Sequence, residues 1–303
     1  MSDQPIRVVA VVGAGTMGRG IAQVAAQAGY STTLHDADPQ ITHQARAAIE
    51  ATLDKGVARG KITADEKAAA LERLRVESDL AKAVVDADLV IEAVPERLEL
   101  KRDLFGELDA RAPARSILGS NTSSLSIAAI AEATGRPGRV VGVHFFNPVH
   151  VMRLVELVVV PETESRAIEL VRAFVDSLGK RPIVVRDSPG FATSRLGLTL
   201  GLEAMRMLEE GVASAEDIDL AMELGYNHPM GPLKLTDLVG LDVRLAIAEH
   251  LARTIDETRF RPPGVLRRFV SEGKLGKKAG EGFYRWREGQ AVPKDIRPVE
   301  EAS

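Results

Sequence analysis

The glycine-rich turn near the start of the chain restricts the fold more than any other feature of the sequence. The segment IRVVAVVGAGTMGRGIAQVAAQAGY begins as an apolar run, breaks at closely spaced glycines, and continues as a helix that ends at Gly29. A strand that leads through such a turn directly into a helix is typical of folds in which strands and helices alternate. We therefore predict that the chain opens with the first βα unit of a parallel sheet.

The same alternation continues along the chain. Further apolar strands are predicted over residues 31–36, 88–94, 116–120, 139–145, 153–160 and 181–187, and most of the stretches between them have helical spacing. Strands that are apolar almost throughout indicate a sheet covered on both faces. The predicted fold is therefore α/β, with a Rossmann-type, doubly wound and mostly parallel sheet.

Two departures from this alternation define the predicted domains. The gap between residues 36 and 88 is longer than a simple crossover needs, and residues 39–75 read as an inserted helical hairpin that turns near Gly60. From Phe191 onward helical periodicity dominates, with no convincing strand before the short stretch GFYRW. We predict a sheet domain over residues 1–187, an all-α C-terminal domain over 188–287, and a frayed polar tail over 288–303. The inserted hairpin is either a substrate-binding device or decoration.

Composition excludes several classes of function. The chain has 303 residues, a net charge of −4 and no cysteine. It therefore has no global basic surface for nucleic acid, and disulfides, zinc–cysteine sites and thiol catalysis are excluded; we expect no metal site. The N-terminus lacks a signal-peptide pattern, and no apolar run approaches the roughly 20 residues of a membrane span. We expect a soluble, cytoplasmic protein that binds neither nucleic acid nor membrane.

The turn over residues 13–18, GAGTMG, matches the pattern G-x-G-x-x-G. The first glycine allows a tight turn, the second lets the backbone approach a pyrophosphate, and the third packs helix on strand. Asp36 ends the next strand 18 residues after Gly18, where a ribose 2′-OH is bound. A carboxylate there repels the 2′-phosphate of NADP, so we predict NAD. The predicted cofactor residues are Gly13, Gly15, Thr16, Met17, Gly18 and Asp36.

A carboxylate also stands inside an otherwise apolar strand, RLVELVVV. Glu156, if ionised and buried there, needs a partner. The break at residues 147–149 predicts that two strands fold back around residue 150, which places His144 opposite Glu156. A carboxylate on one imidazole nitrogen fixes the tautomer and leaves proton transfer to the other. A purely structural pair is the alternative, and His150 in the turn is a rival base.

Polar side chains follow the strand that ends at residue 120, in the stretch SNTSSLSI. The carboxyl ends of strands form the edge where ligands bind in doubly wound sheets. We therefore expect this stretch to contribute a hydroxyl or amide to the site, with a helix cap as the alternative role for one of its residues.

Six motifs follow one another along the chain: GAGTMGRGIA, GSNTSSL, HFFNPVHVMRLVELV, DSPGF, HPMGPLKLTDLVGLD and KLGKKAGEGFY. Together they resemble those of 3-hydroxyacyl-CoA dehydrogenases, particularly the short bacterial 3-hydroxybutyryl-CoA dehydrogenases. The resemblance extends from Gly13 to about Trp286. It implies NAD-dependent oxidation of short-chain (S)-3-hydroxyacyl-CoA to 3-oxoacyl-CoA, or the reverse, and a homodimer formed through the C-terminal helical domain. Two alternatives stay open: a dehydrogenase of free hydroxy acids or sugar acids, as in the lambda-crystallin-like group, and a non-catalytic NAD-binding protein.

The resemblance also implies roles for individual residues. His144 becomes the general base and Glu156 its orienting partner, Ser123 binds the 3-oxygen of the substrate, and Asn147 positions the cofactor and the reacting carbons. The positions implied near the NAD ribose and nicotinamide are Glu96, Lys101 and Lys278, and those implied for the CoA phosphates are Lys55, Arg59 and Lys61. A solvated helix face is the alternative for these last three cations.

One position departs from the family pattern. Ser194 in PGFATSR stands where many relatives have asparagine in PGFxxNR. A serine hydroxyl is shorter and lacks the two-sided hydrogen bonding of an amide. The reaction predicted from the resemblance is unaffected, but the preferred length of the acyl chain stays open.

Overall fold

The computed structural model describes residues 5–294 and 296, and the chain divides into two compact units between Ser188 and Pro189. Each unit has its own core of buried aliphatic and aromatic side chains. No helix in the described part of the chain is long and apolar enough to cross a membrane.

The first unit is built around an eight-stranded sheet. Its strands are β1 (Val8–Val12), β2 (Ser31–His35), β3 (Leu74–Glu77), β4 (Leu89–Glu92), β5 (Ile117–Ser120), β6 (Val140–Phe145), β7 (Leu154–Val159) and β8 (Arg181–Arg186). They lie in the order β3-β2-β1-β4-β5-β6-β7-β8. Only β6 and β7 pair antiparallel; the other neighbours are parallel. The predicted Rossmann-type, mostly parallel sheet is confirmed.

Helices connect these strands. They are α1 (Thr16–Gln27), α2 (Pro39–Ala58), α3 (Ala64–Arg73), α4 (Leu80–Val84), α5 (Leu98–Arg111), α6 (Ile127–Ala131) and α7 (Ser165–Ser177). Strands β4, β5 and β6 are buried throughout, as expected for central strands with both faces covered.

The inserted segment forms the predicted helical hairpin, but a strand that the sequence did not predict follows it. Asp38 caps the start of α2, where Pro39 takes the first helical position, and Thr63 and Glu66 form a capping box at the start of α3. Strand β3 then pairs with β2 at the edge of the sheet, and in it only Leu74 is buried. Because the strand is short and mostly polar, it lacks the apolar run that identified the others.

The second unit is mainly helical. It contains α8 (Thr193–Glu209), α9 (Ala215–Gly225), α10 (Pro232–Val239), α11 (Leu241–Thr254), α12 (Glu257–Phe260) and α13 (Gly264–Ser271). It also contains a small antiparallel hairpin of β9 (Arg285–Arg287) and β10 (Gln290–Val292). The expectation of an all-α C-terminal domain therefore needs this correction.

A buried aspartate fixes the segment that leads into this hairpin. The carboxylate of Asp237 accepts hydrogen bonds from the backbone N–H groups of Phe283 and Tyr284 and from the indole N–H of Trp286. Residues 288–294, predicted as part of a frayed tail, are thus held in part by pairing of β10 with the anchored β9. Of the remaining tail, only residue 296 is among the described residues.

Candidate active site

The turn between β1 and α1 requires glycine at two positions and leaves space at a third. Gly13 has φ +101°, and a Cβ there would lie 2.7 Å from the carbonyl carbon of Ala93. A Cβ on Gly18 would lie 1.7 Å from the carbonyl oxygen of Gly13, whereas one on Gly15 would meet nothing within 4 Å. The backbone is therefore tightly packed behind the turn and open in front of it. This is the geometry that admits a pyrophosphate at a helix N-terminus.

A cleft of about 640 Å³ opens in front of this turn. Gly13, Gly15, Thr16, Met17 and Asp36 line it together with side chains that follow β4 and belong to α5. One Asp36 oxygen, Oδ2, accepts the N–H of Ala14 at 2.9 Å, so the carboxylate is fixed at the turn. None of the described residues that line the cleft is lysine or arginine. The cleft fits a dinucleotide with a free ribose diol better than one with a 2′-phosphate.

His144 and Glu156 form a buried pair on the two antiparallel strands. They are register partners between β6 and β7, as the strand reversal around residue 150 predicts. Nδ1 of His144 lies 2.8 Å from Oε2 of Glu156, and the two side chains are 8% and 0% exposed. The carboxylate thus orients the imidazole through Nδ1. The ring of Phe146 packs against the imidazole at 4.4 Å between centroids.

The loop after β6 contains Asn147, and hydrogen bonds from neighbouring segments hold it in place. The Asn147–Pro148 peptide bond is cis, and Asn147 itself is exposed. Asn121, after β5, accepts the N–H of Phe145 at 2.9 Å, which joins the ends of β5 and β6. Lys180 is 7% exposed and donates to the carbonyl oxygens of Val149 and Met152. Asn121 is the amide of the stretch SNTSSLSI, which the sequence placed at this edge of the sheet, whereas Lys180 belongs to no recognisable pattern and was not predicted.

Ser123 is held by Glu96. One oxygen of Glu96 accepts the N–H of Ser123 at 2.8 Å, its hydroxyl at 3.2 Å and the hydroxyl of Thr122 at 2.6 Å. Burial disfavours the charged form of Glu96, but the hydrogen bond from Thr122 and the charge of Lys101 outweigh it, so its pKa lies below the ordinary value. Glu96 is therefore an anion at neutral pH that organises the stretch after β5.

Lys101 is paired with two carboxylates. Its side chain is 1% exposed, and its ammonium lies 2.5 Å from Glu92 and 3.4 Å from Glu96. The position near the NAD ribose and nicotinamide that the resemblance implied for Lys101 stays a prediction. Glu92, which is fully buried in β4, also accepts the hydroxyl of Ser120 at 2.7 Å. The sequence contained a signal for Glu92, since it too is a carboxylate in an apolar strand.

The proposed CoA-binding cations lie at the exposed end of the hairpin. Lys55 is in the last turn of α2, Arg59 is its C-cap and Lys61 follows the turn at Gly60; all three are exposed. In the second unit, Ser194 is the second residue of α8, and Lys278 forms an ion pair with Asp242 at 2.6 Å. The roles of Ser194 and Lys278 in the site remain predictions.

His150, the rival base, differs from His144 in its surroundings. It is exposed, and no carboxylate among the described residues pairs with it. Loss of solvation, and then the charges of Lys180 and Lys61, hold its pKa below the ordinary value. Within the described ranges, no group of three or more histidine, aspartate or glutamate side chains could hold a metal ion.

Comparison with known proteins gives two family matches that together span most of the chain. The sequence model for the NAD binding domain of 3-hydroxyacyl-CoA dehydrogenase matches residues 8–188. The model for the C-terminal domain of 3-hydroxyacyl-CoA dehydrogenase matches residues 190–286.

Individual relatives agree with these matches. A probable 3-hydroxybutyryl-CoA dehydrogenase of Deinococcus radiodurans is 43% identical over 276 residues, covering 91% of this chain and 99% of that protein. The 3-hydroxybutyryl-CoA dehydrogenase of Bradyrhizobium diazoefficiens is 42% identical over 288 residues, covering 95% and 98%. The crystal structure of (S)-3-hydroxybutyryl-CoA dehydrogenase from Ralstonia eutropha has a TM-score of 0.90 at 40% identity, covering 93% of this chain and 100% of that one.

Proposed function

The chain belongs to the 3-hydroxyacyl-CoA dehydrogenase family, and we propose that it interconverts short-chain (S)-3-hydroxyacyl-CoA and 3-oxoacyl-CoA through His144 and Glu156. As a family member it is an NAD-dependent oxidoreductase. Acetoacetyl-CoA and 3-hydroxybutyryl-CoA are the proposed substrate pair. The observation that carries the assignment of roles is the buried contact of 2.8 Å between His144 Nδ1 and Glu156 Oε2.

His144 acts as the general base in the direction of oxidation. Its Nε2 takes the proton of the 3-hydroxyl group, because Nδ1 is engaged by Glu156. Glu156 stabilises the imidazolium that forms, and in the opposite direction this imidazolium protonates the developing alkoxide. NAD, when bound, supplies the redox chemistry by accepting the hydride that leaves C3.

Two further residues orient the reacting groups in this proposal. Ser123 hydrogen-bonds the 3-oxygen, with its backbone held in place by Glu96. Asn147, at the start of the loop that Lys180 fixes, positions the cofactor and the reacting carbons. The Glu96 carboxylate accepts hydrogen bonds from Ser123 and so keeps that residue at the edge of the sheet.

Binding of the CoA portion involves the inserted hairpin. Three cations on this hairpin are exposed to solvent: Lys55, Arg59 and Lys61. Exposed ammonium and guanidinium groups can form charge-assisted hydrogen bonds with the phosphate groups of a ligand. From the family resemblance, Ser194 is proposed to contact the acyl group and Lys278 the nicotinamide side of the cofactor. Because Ser194 is shorter than asparagine, the acyl length is the least constrained part of the proposal.

The active form is proposed to be a homodimer formed through the second unit. Most of the large apolar side chains that are exposed in the described chain belong to this unit, including Leu196, Leu200, Leu224 and Tyr226. Where exposed apolar side chains form a patch, the patch marks a protein–protein contact, and a C2 dimer is the commonest closed assembly.

The proposed reaction is tested by the loss of absorbance at 340 nm when NADH is mixed with acetoacetyl-CoA. NADPH replaces NADH in one control, and free acetoacetate replaces the thioester in another. We expect rapid oxidation of NADH with the thioester, and much slower rates in both controls. Turnover of the free acid at a comparable rate would instead assign the protein to dehydrogenases of free hydroxy acids, and absence of turnover despite NADH binding would contradict an enzymatic role.

A further inference from the structure

The loop between β6 and β7, residues 146–153, joins the two strands that carry His144 and Glu156. It also contains Asn147, which is exposed and is proposed to position the cofactor and the reacting carbons. The loop has neither a helix nor a strand of its own. Because such segments are more mobile than the elements that they connect, contacts from neighbouring elements decide how firmly Asn147 is held.

Helix α1 provides one of these contacts. The side chain of Val149 is 3% exposed, and a Cβ on Gly20 would lie 2.9 Å from it. Glycine therefore lets α1 approach the loop closely. Gly20 lies four residues after Thr16, where α1 begins at the glycine turn of the dinucleotide cleft. The contact thus relates the position of the loop to that of the turn.

Lys180 provides the second contact. Its ammonium donates to the carbonyl oxygens of Val149 at 2.5 Å and of Met152 at 2.8 Å. The backbone next to Lys180 is held as well, because Arg181 begins β8 and donates its N–H to the carbonyl oxygen of Arg153 at 2.7 Å. The ammonium therefore reaches the loop from the start of a paired strand and bridges two carbonyl groups of the loop.

The surroundings of Lys180 are unusual for a lysine. The residue is 7% exposed, and no carboxylate in the described part of the chain lies within 4 Å of its ammonium. Burial lowers the pKa of Lys180, because the charged form loses solvation. A buried charge without an ionic partner costs free energy that a methionine of similar length would not cost. Packing of the fold thus gives no reason for an ammonium here, whereas the two carbonyl groups do.

We propose that Lys180 is a positioning residue for the reaction: it holds the carbonyl groups of Val149 and Met152 and so keeps Asn147 in place relative to the cofactor turn. This inference rests on the proposed function, to which the role of Asn147 belongs. Lys180 does not line the dinucleotide cleft. Its removal therefore changes the rate of the chemical step more than the binding of the cofactor or the substrate.

Lys180→Met tests this role, since methionine retains the length of the buried side chain and removes its donors. We expect kcat for NADH oxidation by acetoacetyl-CoA to fall about 10- to 100-fold, the loss that follows when a reacting group is misplaced by about 1 Å. The KM for acetoacetyl-CoA and the Kd for NADH should change less than about twofold. Lys82→Met, which replaces an exposed lysine on α4, is the matched control and should change none of these constants.

The rate is expressed per NADH-binding site, counted by fluorescence titration, so that unfolded protein does not contribute to the comparison. If Lys180→Met has no NADH-binding sites, Lys180→Gln takes its place with the same expectation, because it retains a polar side chain in the buried position. A variant with fewer sites but an unchanged kcat per site would show that Lys180 serves the fold alone. A rise in KM or Kd with an unchanged kcat would show that it serves ligand binding.

Returning the ammonium should restore the rate. The chain has no cysteine, so 2-bromoethylamine can alkylate the thiol of Lys180→Cys selectively in the denatured protein, which is then refolded. The product differs from lysine by a sulfur atom in place of one methylene group. We expect kcat per NADH-binding site to return to within about threefold of the value for unsubstituted protein refolded in the same way. A refolded product that binds NADH but stays as slow as Lys180→Met would contradict the proposal.

Hydrogen–deuterium exchange over residues 146–153 provides a readout that does not depend on turnover. Exchange in this segment should be faster in Lys180→Met than in the unsubstituted protein, and should slow again in the aminoethylated Lys180→Cys. Unchanged exchange in Lys180→Met would show that Lys180 does not hold the loop. If the unsubstituted protein binds NADH but does not reduce acetoacetyl-CoA, the proposed function fails, and faster exchange in Lys180→Met would then leave Lys180 as an anchor of the loop without a role in this reaction.

Discussion

Two carboxylates lie fully buried in the sheet, and each has a different kind of partner. Glu156 holds the imidazole of His144 at 2.8 Å, whereas Glu92 holds the ammonium of Lys101 at 2.5 Å. An uncompensated charge at such a position costs several kcal/mol, so each partner is required by the fold as well as by the site. Glu92 supports the site indirectly, through Lys101. The ammonium of Lys101 lies 3.4 Å from Glu96, and Glu96 in turn accepts the N–H of Ser123.

Lys101→Met should destabilise the protein by about 3–5 kcal/mol, because it leaves the Glu92 carboxylate buried without a cation. Lys101→Met combined with Glu92→Gln should recover most of this loss, since the double variant buries no unpaired charge. Denaturant unfolding of the two variants measures the difference. Equal stability of the single and double variants would show that Glu92 and Lys101 do not depend on each other.

Only one of these two pairs could be predicted from the sequence. His144 and Glu156 lie at equal distances from a visible chain reversal, so strand geometry alone brings them together. Glu92 stands in an equally apolar strand, but its partner Lys101 is on α5, and no period or symmetry of the sequence relates a strand residue to a residue on the following helix. Lys180 was missed for a similar reason, because its acceptors are backbone carbonyls that carry no sequence signal.

At the scale of single elements, the turn from β1 into α1 separates structural from functional glycines. Gly18 packs against the carbonyl oxygen of Gly13 and has no space for a side chain. Gly15 has open space in front of it and needs no glycine for packing. The turn thus contains two positions that the fold restricts, Gly13 and Gly18, and one, Gly15, that a bound diphosphate would restrict.

Gly15→Ala should fold with a Tm close to that of the unsubstituted protein but raise the Kd for NADH about tenfold or more, because the added methyl group stands where the diphosphate approaches. Gly18→Ala should lower the Tm markedly or prevent folding, since its Cβ would overlap the Gly13 carbonyl. Thermal unfolding and fluorescence titration with NADH measure the two effects. Normal NADH binding by Gly15→Ala would contradict the placement of the cofactor.

The sequence predicts elements well where burial is strong and poorly where it is weak. Strands β4 and β6 are buried throughout and were predicted, whereas β3 has one buried residue and was not. The stretch GFYRW indicated a short strand near β9, but its pairing with β10 was not predicted, because each strand has three residues and the segment before the hairpin is fixed by the distant carboxylate of Asp237. Side-chain anchors of this kind depend on tertiary structure and leave no periodic pattern.

At the scale of the whole molecule, the two units differ in their exposed surfaces. Leu196 and Leu200 are 66% and 42% exposed and lie four residues apart on α8. A monomer gains nothing from such exposed leucines, whereas a partner that covered them would bury apolar area worth roughly 25 cal/mol per Å². The proposed dimer therefore accounts for a surface that the fold of one chain leaves open.

Leu200→Glu should shift the protein from dimer to monomer, because a buried carboxylate at the interface would be unpaired. Analytical ultracentrifugation measures the change, with Val85→Glu in the first unit as a matched control on an exposed apolar residue. A dimer that survives Leu200→Glu unchanged would place the interface away from this part of α8, and a monomeric unsubstituted protein would contradict the dimer itself.

The central claim is that His144 transfers the proton at the 3-oxygen, and the turnover of His144→Gln tests it most directly. The rate of NADH oxidation by acetoacetyl-CoA should fall by about 10²–10⁴, the usual contribution of a positioned general acid or base. The Kd for NADH should stay within about twofold of its original value, because His144 belongs to β6 and does not line the dinucleotide cleft. A variant that retains turnover within tenfold of the original, with NADH bound normally, would remove His144 from the mechanism.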